Sequence, residues 1–193
     1  MIFNPMTNVQ KRSVALASSL LLAAVSFSVS STSPLNTAGV NQTLVNAQQF
    51  SVSDYVAQTA TKMYPLPKEG QIQHVLTLTP LDNEADYMLE IQIGQTKMVD
   101  CNKHGLTGEI KQLSVKGWGY NYYQVEAISD GPSTMMACFD KALTEKFVAI
   151  PGSMKIPYDS RLAKVIYLPE NSQVRYRIWK VDAPFAYSGD KSQ

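Results

Sequence analysis

The sequence contains few of the side chains on which most enzymes and metal proteins depend. Its 193 residues include only two histidines and two cysteines. Neither His74 nor His104 lies in an HExxH or CxxC spacing, and neither has a second metal ligand at usable spacing. A GxSxG elbow, a phosphate-binding glycine-rich loop and a dinucleotide fingerprint are also missing. We therefore expect no metal, no cofactor and no enzymatic activity. A Ser/His/Asp triad assembled from distant positions stays open as a hydrolase alternative.

The sequence also lacks an excess of charge. Its 17 basic and 16 acidic residues give a net charge of +1. This balance argues against a nucleic acid or an anionic membrane surface as a partner. Apolar residues at 45% and charged residues at 17% are typical of a globular protein, and the length suits one domain.

The first thirty residues have the pattern of a secretory signal peptide. Basic residues precede an apolar stretch from Val14 to Val29, and small residues follow it. A membrane anchor is the alternative, but the stretch is near the lower length limit for a span and serines interrupt it. Cleavage after Ser30 fits the small-x-small rule, and cleavage after Ala47 is a second choice. We predict a signal peptide at 1–30 and export of the mature chain, with no membrane association after cleavage.

The remaining chain divides into a polar leader and a domain rich in strands. Residues 31–54 are predicted to be a mobile leader because they are polar and lack apolar periodicity, and residues 55–193 to form the domain. Within the domain, apolar and polar residues alternate in short runs separated by turn residues, as in Tyr87–Ile93. The predicted strands are Ile72–Leu78, Tyr87–Ile93, Lys97–Cys101, Glu109–Leu113, Tyr122–Ile128, Lys146–Ile150, Lys164–Leu168 and Gln173–Val181. This pattern predicts a single all-β domain, an antiparallel sandwich or barrel of about seven to eight strands.

The two cysteines, Cys101 and Cys138, are an even count in a chain predicted to reach an oxidising compartment. A disulfide between them is therefore expected, and two buried free thiols are the alternative.

The segment Ser129–Cys138 places two adjacent methionines, Met135 and Met136, after the turn residues Asp130-Gly131-Pro132. Apolar side chains in a loop either fill gaps in the core or contact a partner, and residue type alone favours the core. Anchoring at Cys138, restriction by Pro132 and small flanking residues favour instead an extended, restrained segment that offers its backbone to a partner. A protease cleft binds its substrates in this way.

From about Tyr64 to Lys180 the chain resembles the ecotins, periplasmic inhibitors of chymotrypsin-fold serine proteases. The matching stretches are Ile93-Gly94-Gln95-Thr96, Val99-Asp100-Cys101-Asn102, Gly117 to Tyr123, Ser133 to Cys138 and Tyr176 to Lys180. The resemblance implies partners among trypsin-, chymotrypsin- and elastase-type proteases and a periplasmic location. It implies that Met135 enters the protease pocket and that Met136 follows the attacked bond. Ser133, Thr134 and Ala137 would occupy neighbouring subsites.

The resemblance also implies a second protease-binding surface and a homodimer. The second surface would comprise two segments, supplied by the other subunit: Trp118, Gly119, Tyr120 and Asn121, and Tyr158, Asp159, Ser160, Arg161 and Leu162. The dimer would form through the C-terminal strand, Gln173–Val181. Pro151–Ile156 is two residues shorter than in the family, and Pro157 stands where a basic residue is usual. The tail after Lys180 does not match.

A different class of function is compatible with the same aromatic residues. Trp118 and Tyr120 flank a glycine in a predicted turn, and exposed aromatics there are typical of an interface. In a secreted β-sandwich adhesion or carbohydrate-binding module, these rings would stack on sugar. Inhibition of a protease distinguishes the two functions.

Overall fold

A computed structural model describes residues 43–139 and 142–189. The predicted signal peptide and most of the predicted leader lie outside these residues. The described chain contains eleven strands and one short 3-10 helix, Glu84–Asp86. The strands are β1 Val45–Phe50, β2 Gln71–Leu78, β3 Tyr87–Val99, β4 His104–Thr107, β5 Lys111–Ser114, β6 Asn121–Gln124, β7 Ser129–Ser133, β8 Thr144–Ala149, β9 Met154–Pro157, β10 Lys164–Pro169 and β11 Gln173–Lys180. No helix in the described ranges is long and apolar enough to cross a membrane. The predicted all-β class is confirmed, although the predicted number of strands was too low.

The strands form three sheets. The first has the order β1-β2-β10-β6-β5, and only its β10–β6 pair is parallel among the described pairs. In the second, β3 pairs with β11 along one edge and with β8 and β9 along the other. The third is the two-stranded antiparallel sheet of β4 and β7. The main core packs side chains of the first two sheets together, including Leu76, Leu89, Ile91, Ile166 and Leu168.

Strand β3 replaces two predicted strands and the turn predicted between them at Gly94. The strand runs through Gly94, which pairs with Ala149 on one side and Gln173 on the other. A Cβ atom at this position would lie 2.1 Å from the carbonyl oxygen of Val148. Glycine is therefore required here by the close approach of a neighbouring backbone rather than by a turn.

Strand β1 lies inside the predicted leader. Its six residues pair antiparallel with β2, from Val45 opposite Leu78 to Phe50 opposite Gln73. Because Val45 is its only buried side chain, the segment lacks the apolar alternation that identifies a strand. Backbone pairing along the edge of β2 forms the strand instead. The prediction of a mobile leader is wrong from Val45 onward, and cleavage after Ala47 would divide the strand.

His74 in β2 is a buried histidine with an unpaired ring nitrogen. It is 3% exposed, and its Nε2 atom has no hydrogen-bond partner in the described part of the chain. Burial lowers the pKa of His74 to about 4. An unfolded histidine has a pKa of about 6.5. Between these two values the unfolded chain binds a proton that the folded chain does not. Folding is therefore stabilised above pH 6.5, and this stabilisation is lost as the pH falls towards 4.

We expect the free energy of unfolding to decrease on acidification from pH 6.5 to 4.5, by up to about 1.4 kcal/mol per pH unit from this one proton. His74→Leu should flatten the slope in that range. The carboxylates of Glu90, Asp100 and Asp159 have pKa values lowered to about 2, so their contributions are lost mainly below this window. Urea unfolding at several pH values measures both slopes, and parallel slopes would contradict the prediction.

Candidate functional site

The two adjacent methionines lie in an exposed loop. Residues 134–139, here the methionine loop, follow β7 and have no regular secondary structure. The side chain of Met135 is 96% exposed and that of Met136 is 59% exposed. Neither methionine fills a gap in the core, so the alternative that residue type alone favoured is wrong.

The entrance to the loop is a strand where a turn was predicted. Asp130, Gly131 and Pro132 belong to β7, which pairs with β4. The register shifts between His104 and Leu106, so β7 has one residue more than β4 at this point. Proline has no backbone N–H for the ladder and is tolerated at such a bulge. The chain is therefore extended at Pro132, directly before the methionine loop.

A second loop supports the methionine loop from the side of the protein body. Residues 100–103, here the scaffold loop, connect β3 to β4. Cys101 in this loop forms a disulfide with Cys138, with a Cα–Cα distance of 5.8 Å. The predicted pairing is confirmed. The bridge ties the far end of the methionine loop, while the β4–β7 pairing ties its near end.

Asn102 of the scaffold loop holds both sides of Met135. Its Oδ1 atom accepts hydrogen bonds from the Met136 backbone N–H at 2.7 Å and from the Thr134 hydroxyl at 3.0 Å. The Thr134 N–H donates to the Lys103 carbonyl, and the Lys103 N–H donates to Thr134 Oγ1, both at 3.0 Å. The residues before and after Met135 are therefore restrained while its own side chain is free.

Asp100 in turn orients Asn102. Its Oδ1 and Oδ2 atoms accept hydrogen bonds from the backbone N–H and the side-chain Nδ2 of Asn102, both at 2.9 Å. His104 Nε2 lies 2.7 Å from Asp100 Oδ1. Hydrogen bonds from His104, and then from Asn102, lower the pKa of Asp100 to about 2. The carboxylate therefore stays ionised near neutral pH and keeps accepting these bonds.

We did not predict a site role for either Asp100 or Asn102. The available signal was their position beside Cys101, within a stretch that matches the family. Spacing alone does not show that their side chains reach a loop more than 30 positions later in the chain. That contact depends on the β4–β7 pairing, which was also not predicted.

The aromatic residues of the predicted second surface lie on a tight turn. Residues 115–120, here the aromatic turn, connect β5 to β6, and the Val115 N–H donates to the Tyr120 carbonyl at 2.8 Å. Gly119 has a φ of 72°, a conformation that other residues rarely adopt. Trp118 is 58% exposed, and its ring centroid lies 6.0 Å from that of Tyr120. A pair of aromatic rings is thereby presented at the surface.

The structure brings together the two segments predicted to form the second surface. They line a common cavity of about 300 Å³. Gly119, Tyr120 and Asn121 contribute one wall, and Asp159 and Leu162 contribute another. Pro157, the residue that departs from the family pattern, also lines this cavity. Among the described residues that line it, none belongs to the methionine loop.

Tyr158 does not belong to the accessible part of this surface. Its side chain is 4% exposed and packs in the main core. Its hydroxyl donates to the Thr79 carbonyl at 2.6 Å. The prediction that Tyr158 contacts a partner is therefore wrong for its side chain, which has a structural role.

The following residues form a compact polar turn. Arg161 donates from Nε and Nη2 to the two carboxylate oxygens of Asp159, at 2.9 and 3.0 Å. These bonds lower the pKa of Asp159 to about 2. The Ser160 N–H donates to Glu84 Oε2 at 3.3 Å. Arg161 itself is exposed, and its guanidinium is paired with Asp159, which lines the cavity.

Strand β11, which was predicted to form the dimer, is an edge strand of its sheet in the described chain. It pairs with β3 over eight residues, from Gln173 opposite Gly94 to Lys180 opposite Tyr87. Arg177 and Trp179 donate to the buried carboxylate of Glu90. These hydrogen bonds lower the pKa of Glu90 to about 2. Trp179 is 44% exposed, so the edge strand presents an aromatic ring to solvent.

The described residues contain no group of three His, Cys, Asp or Glu side chains that could hold a metal ion. The hydrolase alternative depends on the two histidines, and these lie in different environments. His74 is in the core, and His104 contacts Asp100 at the base of the methionine loop.

Comparisons with known proteins identify the family of the chain. A family model described as Ecotin matches residues 60–181. The ecotin of Serratia proteamaculans (strain 568) is 35% identical over 147 residues, which cover 74% of this chain and 86% of that protein. The ecotin of Pseudomonas putida (strain W619) is 41% identical over 117 residues, which cover 60% of this chain and 74% of that protein. The chain therefore belongs to the ecotin family.

Proposed function

We propose that this protein is a periplasmic, substrate-like inhibitor of chymotrypsin-fold serine proteases, with the Met135–Met136 peptide bond as its reactive bond. Membership of the ecotin family supports a protease inhibitor function. The observation that carries the proposal is the contrast at Met135. Its side chain is 96% exposed, while the backbone on both sides of it is tied to the scaffold loop.

This contrast is what a substrate-like inhibitor needs. A loop that is already ordered loses little conformational entropy when it enters a protease cleft, so more of the contact energy contributes to affinity. Met135 enters the primary pocket, and Ser133, Thr134 and Ala137 occupy the neighbouring subsites. The flexible, polarizable side chain of methionine adapts to pockets of different shape, which favours inhibition of trypsin-, chymotrypsin- and elastase-type proteases.

The same contacts explain how the bond resists net cleavage. Hydrolysis adds water across the Met135–Met136 bond and produces a carboxylate on Met135 and an amine on Met136. Thr134 forms hydrogen bonds with Lys103 and Asn102, and the Met136 N–H donates a hydrogen bond to Asn102. Both new ends would therefore stay near each other, which favours re-formation of the bond over release.

The cavity between the aromatic turn and residues 157–162 supports a second protease-binding surface. Tyr120 lines it on one side, with the exposed ring of Trp118 beside that of Tyr120, and Asp159 and Leu162 line the other side. Ser160 and Arg161 lie between these two residues in the chain. In this proposal the second surface comes from the other subunit of a homodimer formed through β11. Two contacts on one protease raise the affinity through effective concentration. Light scattering at micromolar concentration tests this, since a monomeric mass would exclude the two-site arrangement.

Asn102→Ala tests the support of the loop. The substitution removes the acceptor shared by the Met136 N–H and the Thr134 hydroxyl. We expect inhibition to weaken by about 10- to 100-fold because the protease must then order the loop. Asn171→Ala, in the exposed turn between β10 and β11, is the matched control and should inhibit like the wild type. Equal inhibition constants for the two variants would contradict the assigned role of Asn102.

The function itself is tested with trypsin, chymotrypsin and elastase. Purified protein with its disulfide intact should inhibit at least one of them at micromolar concentration or below. A failure to inhibit any of the three would exclude the proposal. Binding to a glycan array that is lost in Trp118→Ala would then favour the carbohydrate-binding alternative. Hydrolysis of an ester or peptide that is lost in His104→Ala would favour the hydrolase.

A further inference from the structure

The contacts of the methionine loop alternate along the chain. The Thr134 hydroxyl contacts Asn102 and Lys103, and Cys138 is bonded to Cys101. These even-numbered side chains face the protein body. Met136, which lies between Thr134 and Cys138, is 59% exposed. The odd-numbered Met135, in contrast, is 96% exposed.

Such alternation is typical of an extended chain, in which successive side chains point to opposite sides. The side of the loop that faces away from the body therefore carries Met135, Ala137 and Phe139. Phe139 is 109% exposed, so the described part of the chain leaves its phenyl ring open to solvent. Because Cys138 is held against the body by the disulfide, the adjacent Phe139 is directed outward.

The spacing places Phe139 within reach of the same partner as Met135. Four residues of extended chain span about 13 Å. A standard protein–protein interface covers about 800 Å² on each partner, which is roughly 30 Å across. A protease that takes Met135 into its primary pocket therefore also covers the position of Phe139.

We infer that Phe139 is a second apolar anchor, which binds an apolar subsite of the protease on the leaving-group side of the reactive bond. The inference rests on the proposed function and adds a specificity determinant to it. An exposed aromatic side chain has only two torsions to fix on association, and it buries a large apolar area. The disulfide at the adjacent Cys138 restrains the backbone next to it. Proteases with an apolar surface about 13 Å beyond the primary pocket, on the leaving-group side, are therefore the preferred targets.

Phe139→Ala tests the inference against chymotrypsin and elastase. We expect about a tenfold weaker inhibition constant for proteases with an apolar subsite, seen mainly as faster dissociation. Phe139→Leu should retain most of the potency, and Phe139→Asp should lose more than the alanine variant. Val56→Ala, an exposed apolar residue outside both protein-binding surfaces, is the matched control and should inhibit like the wild type. Thermal unfolding should be the same for all four variants, because neither residue packs in the core.

The two possible failures give different results. A wild-type protein that inhibits none of the proteases contradicts the proposed function. If the wild-type protein inhibits and both Phe139→Ala and Phe139→Asp inhibit as strongly as the wild type, the role of Phe139 is contradicted. The proposed function then stays intact.

Discussion

The Met135→Pro variant is expected to lose inhibition of every protease that the wild-type protein inhibits, by about a thousandfold or more. Proline removes the backbone N–H that an extended substrate offers to the cleft, and its ring cannot extend into the primary pocket. The fold should be unaffected because Met135 is 96% exposed and lies outside the strands. Inhibition constants and thermal unfolding, measured on the same preparations, check both parts of this expectation.

Met135→Leu is the matched control for this experiment. Leucine keeps an apolar side chain of similar volume and leaves the backbone N–H in place, so its inhibition of chymotrypsin should stay within about tenfold of the wild type. Retained potency in Met135→Pro would mean that the reactive bond lies elsewhere. A parallel loss in both variants would mean that the loop requires methionine for its own structure.

Removal of the disulfide is expected to have the largest effect on stability. Cys101 and Cys138 are separated by 37 positions, and the chain-entropy model assigns roughly 4 kcal/mol to a bridge of this length. The double variant Cys101→Ser, Cys138→Ser should therefore unfold about 10 °C below the wild type. Its inhibition should also weaken, because Cys138 ties the far end of the methionine loop to the scaffold loop.

Calorimetry with and without a reducing agent measures this effect. The wild type should lose stability on reduction, whereas the double variant should be insensitive to the reductant. A difference in melting temperature of less than about 2 °C between the oxidised wild type and the double variant would contradict the chain-entropy estimate. An unchanged inhibition constant would show that the hydrogen bonds that Asn102 accepts from Thr134 and Met136 suffice to hold the loop.

Much of the fold was predictable because several strands carry apolar residues in alternation or in a short continuous run. The alternation identified β11 and the first half of β3, and these two segments pair with each other over eight residues. The disulfide followed from an even cysteine count and the predicted export. The resemblance to the ecotins, based on short motifs such as Ser133 to Cys138, agrees with the family match over residues 60–181.

Four strands of the described chain were not predicted, and two of them, β1 and β7, do not carry that alternation. β1 has one buried residue, and β7 contains a glycine and a proline, which are rare in strands. β1 is formed by backbone pairing with β2. β7 is formed by backbone pairing with β4, and the register of that pair is interrupted by a bulge. Gly94 was interpreted as a turn because the close approach of the Val148 carbonyl cannot be seen in a linear pattern.

The methionine pair, the cysteine pair and the aromatic turn are properties of the sequence by itself, because residue type and local spacing are enough to recognise them. Only the tertiary structure decided that Met135 is exposed, that Tyr158 is buried and that Asn102 holds the loop on both sides of Met135. These outcomes depend on which backbones approach each other in space. The β4–β7 pairing brings residues 100–103 against residues 134–138, and that approach converts an exposed apolar segment into a restrained one.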